Sequence, residues 1–220
     1  MLNKFLVMFV VSLLTVTGAA TAMAGPGGGG GHGHANNGGG GESSLVPLSQ
    51  DEIDGLLFMR EEEKVARDSY ITLGGEWGLV IFDNIASSEQ LHMDALENLF
   101  DKYGLTDPVI PGVGKFANEE LQRLYDYLML WGMESLMDSL YVGAAIEETD
   151  MIDIQHAIDD ASPNHEDIIS TYESLMCGSR NHLRSFVRQI EANGGVYDPS
   201  DEYFAEIAYS PMERDCGSED

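Results

Sequence analysis

Four stretches of this chain carry an apolar seam at helical spacing, and each seam is broken near its middle by polar residues. Steps of three and four residues place the members of a seam on one helix face. The first runs Leu56, Met59, Glu63, Ala66, Tyr70, Leu73, and the second Phe82, Ile85, Glu89, His92, Leu96, Leu99. The third runs Leu136, Leu140, Gly143, Glu147, Asp150, Ile154, and the fourth Ile168, Tyr172, Leu175, Ser179, His182, Phe186. Such a face is normally the dry one, where an ionised carboxylate costs several kcal/mol unless something pairs with it.

The punctuation around the seams sets the architecture. A first helix is predicted from near Ser49, with Asp51 and Glu52 in its first turn, to about Leu73, where Gly74-Gly75 stops it. A second spans about Val80 to Tyr103 and ends at Gly104. Pro108, Pro111, Gly112 and Gly114 make 105–117 a loop, and a short amphipathic helix follows from about Asn118 to Leu130. The fourth helix covers about Glu134 to Asp160; after a break at Ser162-Pro163-Asn164, Asn164 caps a fifth that runs to about Ala192. Two long hairpins joined by a long crossover predict an all-α four-helix bundle, the crossover carrying one additional short helix.

Outside the bundle, 48–198, three segments read differently. Residues 1–24 combine Lys4, an apolar run from Phe5 to about Val16 and the small-residue ending Ala22-Met23-Ala24, the layout of a cleavable export signal cut after Ala24. An uncleaved amino-terminal anchor is the alternative. Residues 25–47 are a glycine-rich linker, with His32 and His34 as incidental histidines, and 199–220 are an acidic, loosely packed tail. The expected location is therefore secreted or periplasmic, with no stable membrane insertion once the signal is removed.

Acids outnumber bases by 38 to 11, for a net charge of −27. Nucleic acid and anionic membranes would be repelled, whereas cations are favoured partners. Cys177 and Cys216 either pair or stay free, and with no CxxC there is neither a zinc ribbon nor a rubredoxin-type iron site. A homodimer is left open.

Four carboxylates at matching depth beside two histidines need a positive charge among them, and no Lys or Arg lies on the middle of the seams (Arg60 and Arg67 flank Glu63 off its line). A metal is the economical answer, because carboxylate oxygens and imidazole nitrogens suit iron, manganese or zinc. The candidate ligands are Glu63, Glu89, His92, Glu147, Asp150 and His182. That set is large enough for two ions with bridging carboxylates. Glu148, on the more mixed line Ala144, Glu148, Met151, Gln155, is the rival to Glu147. Each residue alone has a plainer reading, as a surface acid or a hydrogen-bonded core histidine. Tyr70 and Tyr172 read as structural hydroxyls, Tyr70 also as a donor to a metal-holding acid. Glu61, Glu62 and Glu97 read as solvated faces, and His156 and His165 fall off the seams.

EKVARDSY, IASSEQLHMDAL and GAAIEETD resemble the helix patterns of rubrerythrin-type members of the ferritin-like superfamily. EEEKVARD, SSEQLHMDA, VGAAIEETD and GSRNHLRSF together look closer still to the ferritin-like family called domain of unknown function 2202, over about residues 48–207. The resemblance implies a di-iron-type site at Glu63, Glu89, His92, a helix-four acid and His182. The chain departs from the superfamily where Ser179-Arg180-Asn181-His182 replaces a second ExxH; Asp150 is the residue placed to compensate. The rubredoxin-like electron-transfer module is absent, so reduction would draw on an external electron donor. The implied activity is redox chemistry on peroxide or dioxygen; metal capture without turnover and a metal-free interaction bundle are the alternatives.

Overall fold

The computed structural model describes residues 46–214 and 216; the expected export signal, most of the linker and the last residues of the tail lie outside them. Among the described residues there are six helices and no strand: α1 (Gln50–Trp77), α2 (Val80–Tyr103), α3 (Glu119–Gly132), α4 (Leu136–Asp160), α5 (Glu166–Ala192) and α6 (Glu202–Ala208). None is long and apolar enough to cross a membrane.

The helix starts follow from local hydrogen-bond chemistry. Ser49 and Glu52 form a reciprocal capping box, with Glu52 Oε2 accepting from Ser49 N at 2.8 Å. Asn118, Ser135 and Asp201 cap α3, α4 and α6 with their side chains. α4 begins at Leu136, after the Ser135 cap, and not near Glu134, and two further boundaries differ from expectation. α5 begins after His165, not Asn164, and His165 makes no side-chain cap. α1 runs through Gly74-Gly75 and stops at Gly78, whose φ of 67° is the left-handed ending that glycine permits. Gly74 serves packing instead: a Cβ there would lie 3.1 Å from that of Phe82, where α2 begins.

α1 packs on α2 and α4 packs on α5; α1 also packs on α4 and α2 on α5, which closes a four-helix ring. The short crossover helix α3 lies against α1 and α4, and α6 against α5. Every seam residue is buried except Leu136, which is half-buried. Above the polar middle, Tyr70, Phe82 and Phe186 form an aromatic plug, with Tyr70 and Phe186 ring centroids 5.2 Å apart. Gly143 makes room for it, since a Cβ there would fall 2.3 Å from the Phe186 ring.

The outer side of α1 is not solvated as expected. Glu61 and Glu62 are buried, together with Arg60 and Lys64. Glu61 accepts from Ala117 N and Asn118 N at 2.6 and 3.0 Å, which ties the crossover to α1. Arg60 pairs with Asp107 at 2.7 Å and donates to Met93 O; exposed Glu97 is its third partner. Lys64 pairs with Asp68 and donates to Gly112 O at 2.9 Å, while Asp68 also accepts from Gly114 N and Arg67. The loop 105–117 is thus fastened by charges.

The segment after Pro199 is also more ordered than expected. Phe204, Ile207 and Ala208 of α6 are buried, and Glu213 pairs with Arg180 and Arg184. A Cys177–Cys216 disulfide resolves the open cysteine question and joins this segment to α5.

Candidate metal centre

The four seams bring Glu63, Glu89, His92, Glu147 and His182 together between the long helices, all buried. They form two triads, Glu63–Glu89–His92 and Glu89–Glu147–His182, each with three ligand atoms within 4.8 Å of one another. Glu89 belongs to both. His92 Nδ1 lies 2.8 Å from Glu89 Oε2 and 3.1 Å from Glu63 Oε2. His182 Nδ1 lies 2.9 Å from Glu89 Oε1 and 3.4 Å from Glu147 Oε2.

These distances are short, yet most of the approaches are not aligned as hydrogen bonds. The His92–Glu63 contact is aligned, but Glu63 Oε1, Glu89 Oε2 and His182 Nδ1 are left without a hydrogen-bond partner. In folded proteins the large majority of buried polar atoms have a hydrogen-bond partner. Atoms that crowd together without pointing at one another suit a shared central ion better than one another. The donor set, carboxylate oxygen and imidazole nitrogen, is one that could hold a metal ion such as iron, manganese or zinc.

The electrostatics show the same strain. Burial pushes Glu63 up to about 7 against the opposing pull of His92, and pushes Glu147 up to about 7 against His182. Burial would raise Glu89 too, but His182 and His92 outweigh it and hold this carboxyl far below the usual range. Burial alone would lower His182, yet Glu89 and Glu147 lift it to about 10; His92 is raised by Glu63 and Glu89.

Neighbouring groups orient these side chains. His182 Nε2 meets Ser88 Oγ at 2.9 Å, which leaves Nδ1 facing the acids. Tyr70 donates to Glu147 Oε1, so its expected contact with a centre acid is present. Tyr172 is buried elsewhere in the core, below Gly55. Gly178 is the residue that sequence reasoning overlooked: a Cβ there would sit 2.4 Å from His92 Nε2. An unexplained glycine in the middle of α5 was the available signal. Ser88 gave none.

Asp150 and Glu148 stand apart from the triads. Asp150 accepts from Ser179 Oγ, so the serine that replaces the expected glutamate holds the acid across from it. Asp150 belongs to neither triad. Glu148 turns away, accepting from Tyr197 and from Ser200 N, whereas Glu147 lies in a triad. His165 bonds Glu52 at 2.6 Å, and His156 is at the surface.

A four-helix bundle with a crossover helix, enclosing carboxylates and imidazoles several of whose atoms lack hydrogen-bond partners, defines the class: a helical-bundle protein with a candidate metal centre. The chain belongs to the family described as "Uncharacterized protein domain (DUF2202)", whose pattern matches residues 52–211. It is similar to "Uncharacterized protein MJ0754" of Methanocaldococcus jannaschii, 47% identical over 172 residues covering 76% of this chain and 92% of that protein. The crystal structure of MJ0754 superposes with a TM-score of 0.74 at 46% identity, covering 77% of this chain and 98% of that one.

Proposed function

We propose that the protein is an exported metalloprotein in which Glu63, Glu89, His92, Glu147 and His182 hold two metal ions, iron or an iron–manganese pair, for redox chemistry on peroxide or dioxygen. The observation that carries this reading is the pair of buried triads sharing Glu89. Export is supported by the amino-terminal pattern ending at Ala24 and by the disulfide, which persists in oxidising compartments. When bound, the metals supply electron transfer and an open coordination position.

The side chains supply the rest. Glu89, with one oxygen toward each imidazole, would serve both triads, and Glu63 and Glu147 would each hold one end. Ser88 keeps the His182 ring from turning, Tyr70 fixes the Glu147 carboxylate, and the Tyr70–Phe82–Phe186 plug excludes water from one side. An external donor would supply the electrons.

Protein loaded anaerobically with ferrous iron should oxidise that iron after peroxide addition faster than free iron in buffer, and a rate equal to the buffer's would refute the redox reading. Glu63→Ala and His182→Ala should each lower bound metal; unchanged stoichiometry in both would remove the centre itself. Capture without turnover is the second reading, favoured by the net charge of −27. It requires tight binding with no acceleration.

A further inference from the structure

Beside the centre, a cleft opens between α1, α3 and α4, lined by Glu62, Val65, Ala66, Leu124, Leu128, Ala145, Ile146, Thr149 and Asp150. Its walls are apolar except at Thr149 and at two acids, Glu62 and Asp150, which are 6% and 4% exposed. Neither acid is fully satisfied: Glu62 Oε2 and Asp150 Oδ1 have no hydrogen-bond partner. One turn beyond Asp150 on α4, Asp153 faces Glu62 and also has an unpartnered buried oxygen, Oδ2. Its side chain is 17% exposed, and exposed His156 stands 3.8 Å away at the surface. Exposure falls from Asp153 (17%) through Glu62 (6%) to Asp150 (4%), from solvent inward. Asp150 in turn lies within electrostatic reach of Glu63, Glu147 and Glu89.

These acids contrast with their neighbours on α1. Glu61 has two backbone donors and Lys64 has Asp68, so both have a structural account. Glu62 has only other acids. Glu62 and Asp153 can share a proton, but Glu62 Oε2, Asp153 Oδ2 and Asp150 Oδ1 remain without partners, which leaves a function to be found. We propose that this cleft is the entry site for a divalent cation, held first between Asp153 and Glu62 and passed by Asp150 to the central triads. The proposal rests on the reading of those triads as a metal centre. The physical basis is focusing: one sign of charge between low-dielectric walls concentrates the field and raises the capture rate of counter-ions, by ~10 to 1,000-fold in known cases. The whole molecule, at −27, adds to that attraction.

The test is Mn²⁺ uptake by the metal-free full chain, with the rate followed by stopped-flow tyrosine fluorescence and the amount bound measured by loss of the free-ion EPR signal. In the double variant Glu62→Gln, Asp153→Asn the association rate should fall ~10-fold or more, with a flatter dependence on ionic strength. The amount of Mn²⁺ held by the triads should be unchanged, and the metal-free variant should melt no lower than the parent. An unchanged rate in a parent that binds Mn²⁺ overturns the entry path alone. Slower turnover with unchanged uptake overturns it in favour of a proton path. A lower melting temperature overturns it in favour of a structural role. No Mn²⁺ bound by the parent overturns the centre, and the path with it.

Discussion

Glu61 and Glu63 are two residues apart on α1 and are both buried, but they meet opposite surroundings. The crossover wraps the outer side of α1 and brings partners with it: two backbone N–H donors for Glu61, and the acceptors Asp107 and Gly112 O for the flanking bases Arg60 and Lys64. The inner side receives acids from α2 and α4 and imidazoles from α2 and α5, and Glu63 Oε1 finds no donor. Burial of charge is therefore a poor sign of chemistry in this protein. Unmet hydrogen-bonding capacity is the better one, because it separates charges that fasten the fold from charges arranged around something else.

Substitutions on the two sides should behave differently. The largest loss is expected at Asp68→Ala, which strands buried Lys64: about 3 to 5 kcal/mol of stability in metal-free and metal-loaded protein alike, by urea denaturation. Glu61→Ala should cost about 1 to 3 kcal/mol, again equally in both forms, because it orphans two backbone donors. Gly178→Ala should bring overpacking against His92, of about 1 to 3 kcal/mol, offset in part by helix propensity. Unlike the first two, it should also reduce bound metal, by elemental analysis. The smallest change in metal-free stability, about 0.5 to 1.5 kcal/mol, is expected at Glu63→Gln, which removes the charge facing His92 but keeps an oxygen that can meet its Nδ1. In the loaded protein the same variant should lose the stabilisation that bound metal confers. Equal losses at Glu61 and Glu63 in both forms would erase the distinction between the two sides.

A remote pair gives a control in pH. Burial would raise Glu52, but hydrogen bonds from Ser49, Ser162 and His165 prevail and hold it at about 2. A carboxyl lowered from 4.5 contributes stability that is complete above about 4.5 and lost as pH falls toward 2. The gap in melting temperature between the parent and Glu52→Gln should therefore close over that window, whether metal is bound or not.

The seams were legible because a helical period leaves the same arithmetic in any bundle, and the polar interruptions were visible against it. The burial of Glu61 and Glu62 was not. A run of charges on a helix reads as solvated until the crossover is known to cover it, and that covering depends on contacts more than forty residues away in sequence, such as Glu61 to Ala117. The start of α5 was placed one residue early because Asn164 is a good capping residue, whereas His165 is held by Glu52 from another helix. The packing after Pro199 was missed because three apolar residues in α6 make too short a pattern to register. At Ser179 the departure from the superfamily was plain in the sequence; that its hydroxyl would engage Asp150 required the two helices side by side.

The bond between Cys177 and Cys216 turns an open end into a ring spanning 39 residues. Chain-entropy arguments value such a closure at roughly 4 kcal/mol. One anchor of that ring is the immediate neighbour of Gly178, the position where α5 rests on the His92 imidazole. A reducing agent would thus act at a distance, unbuckling the segment beyond α6 while loosening the turn on which His92 leans.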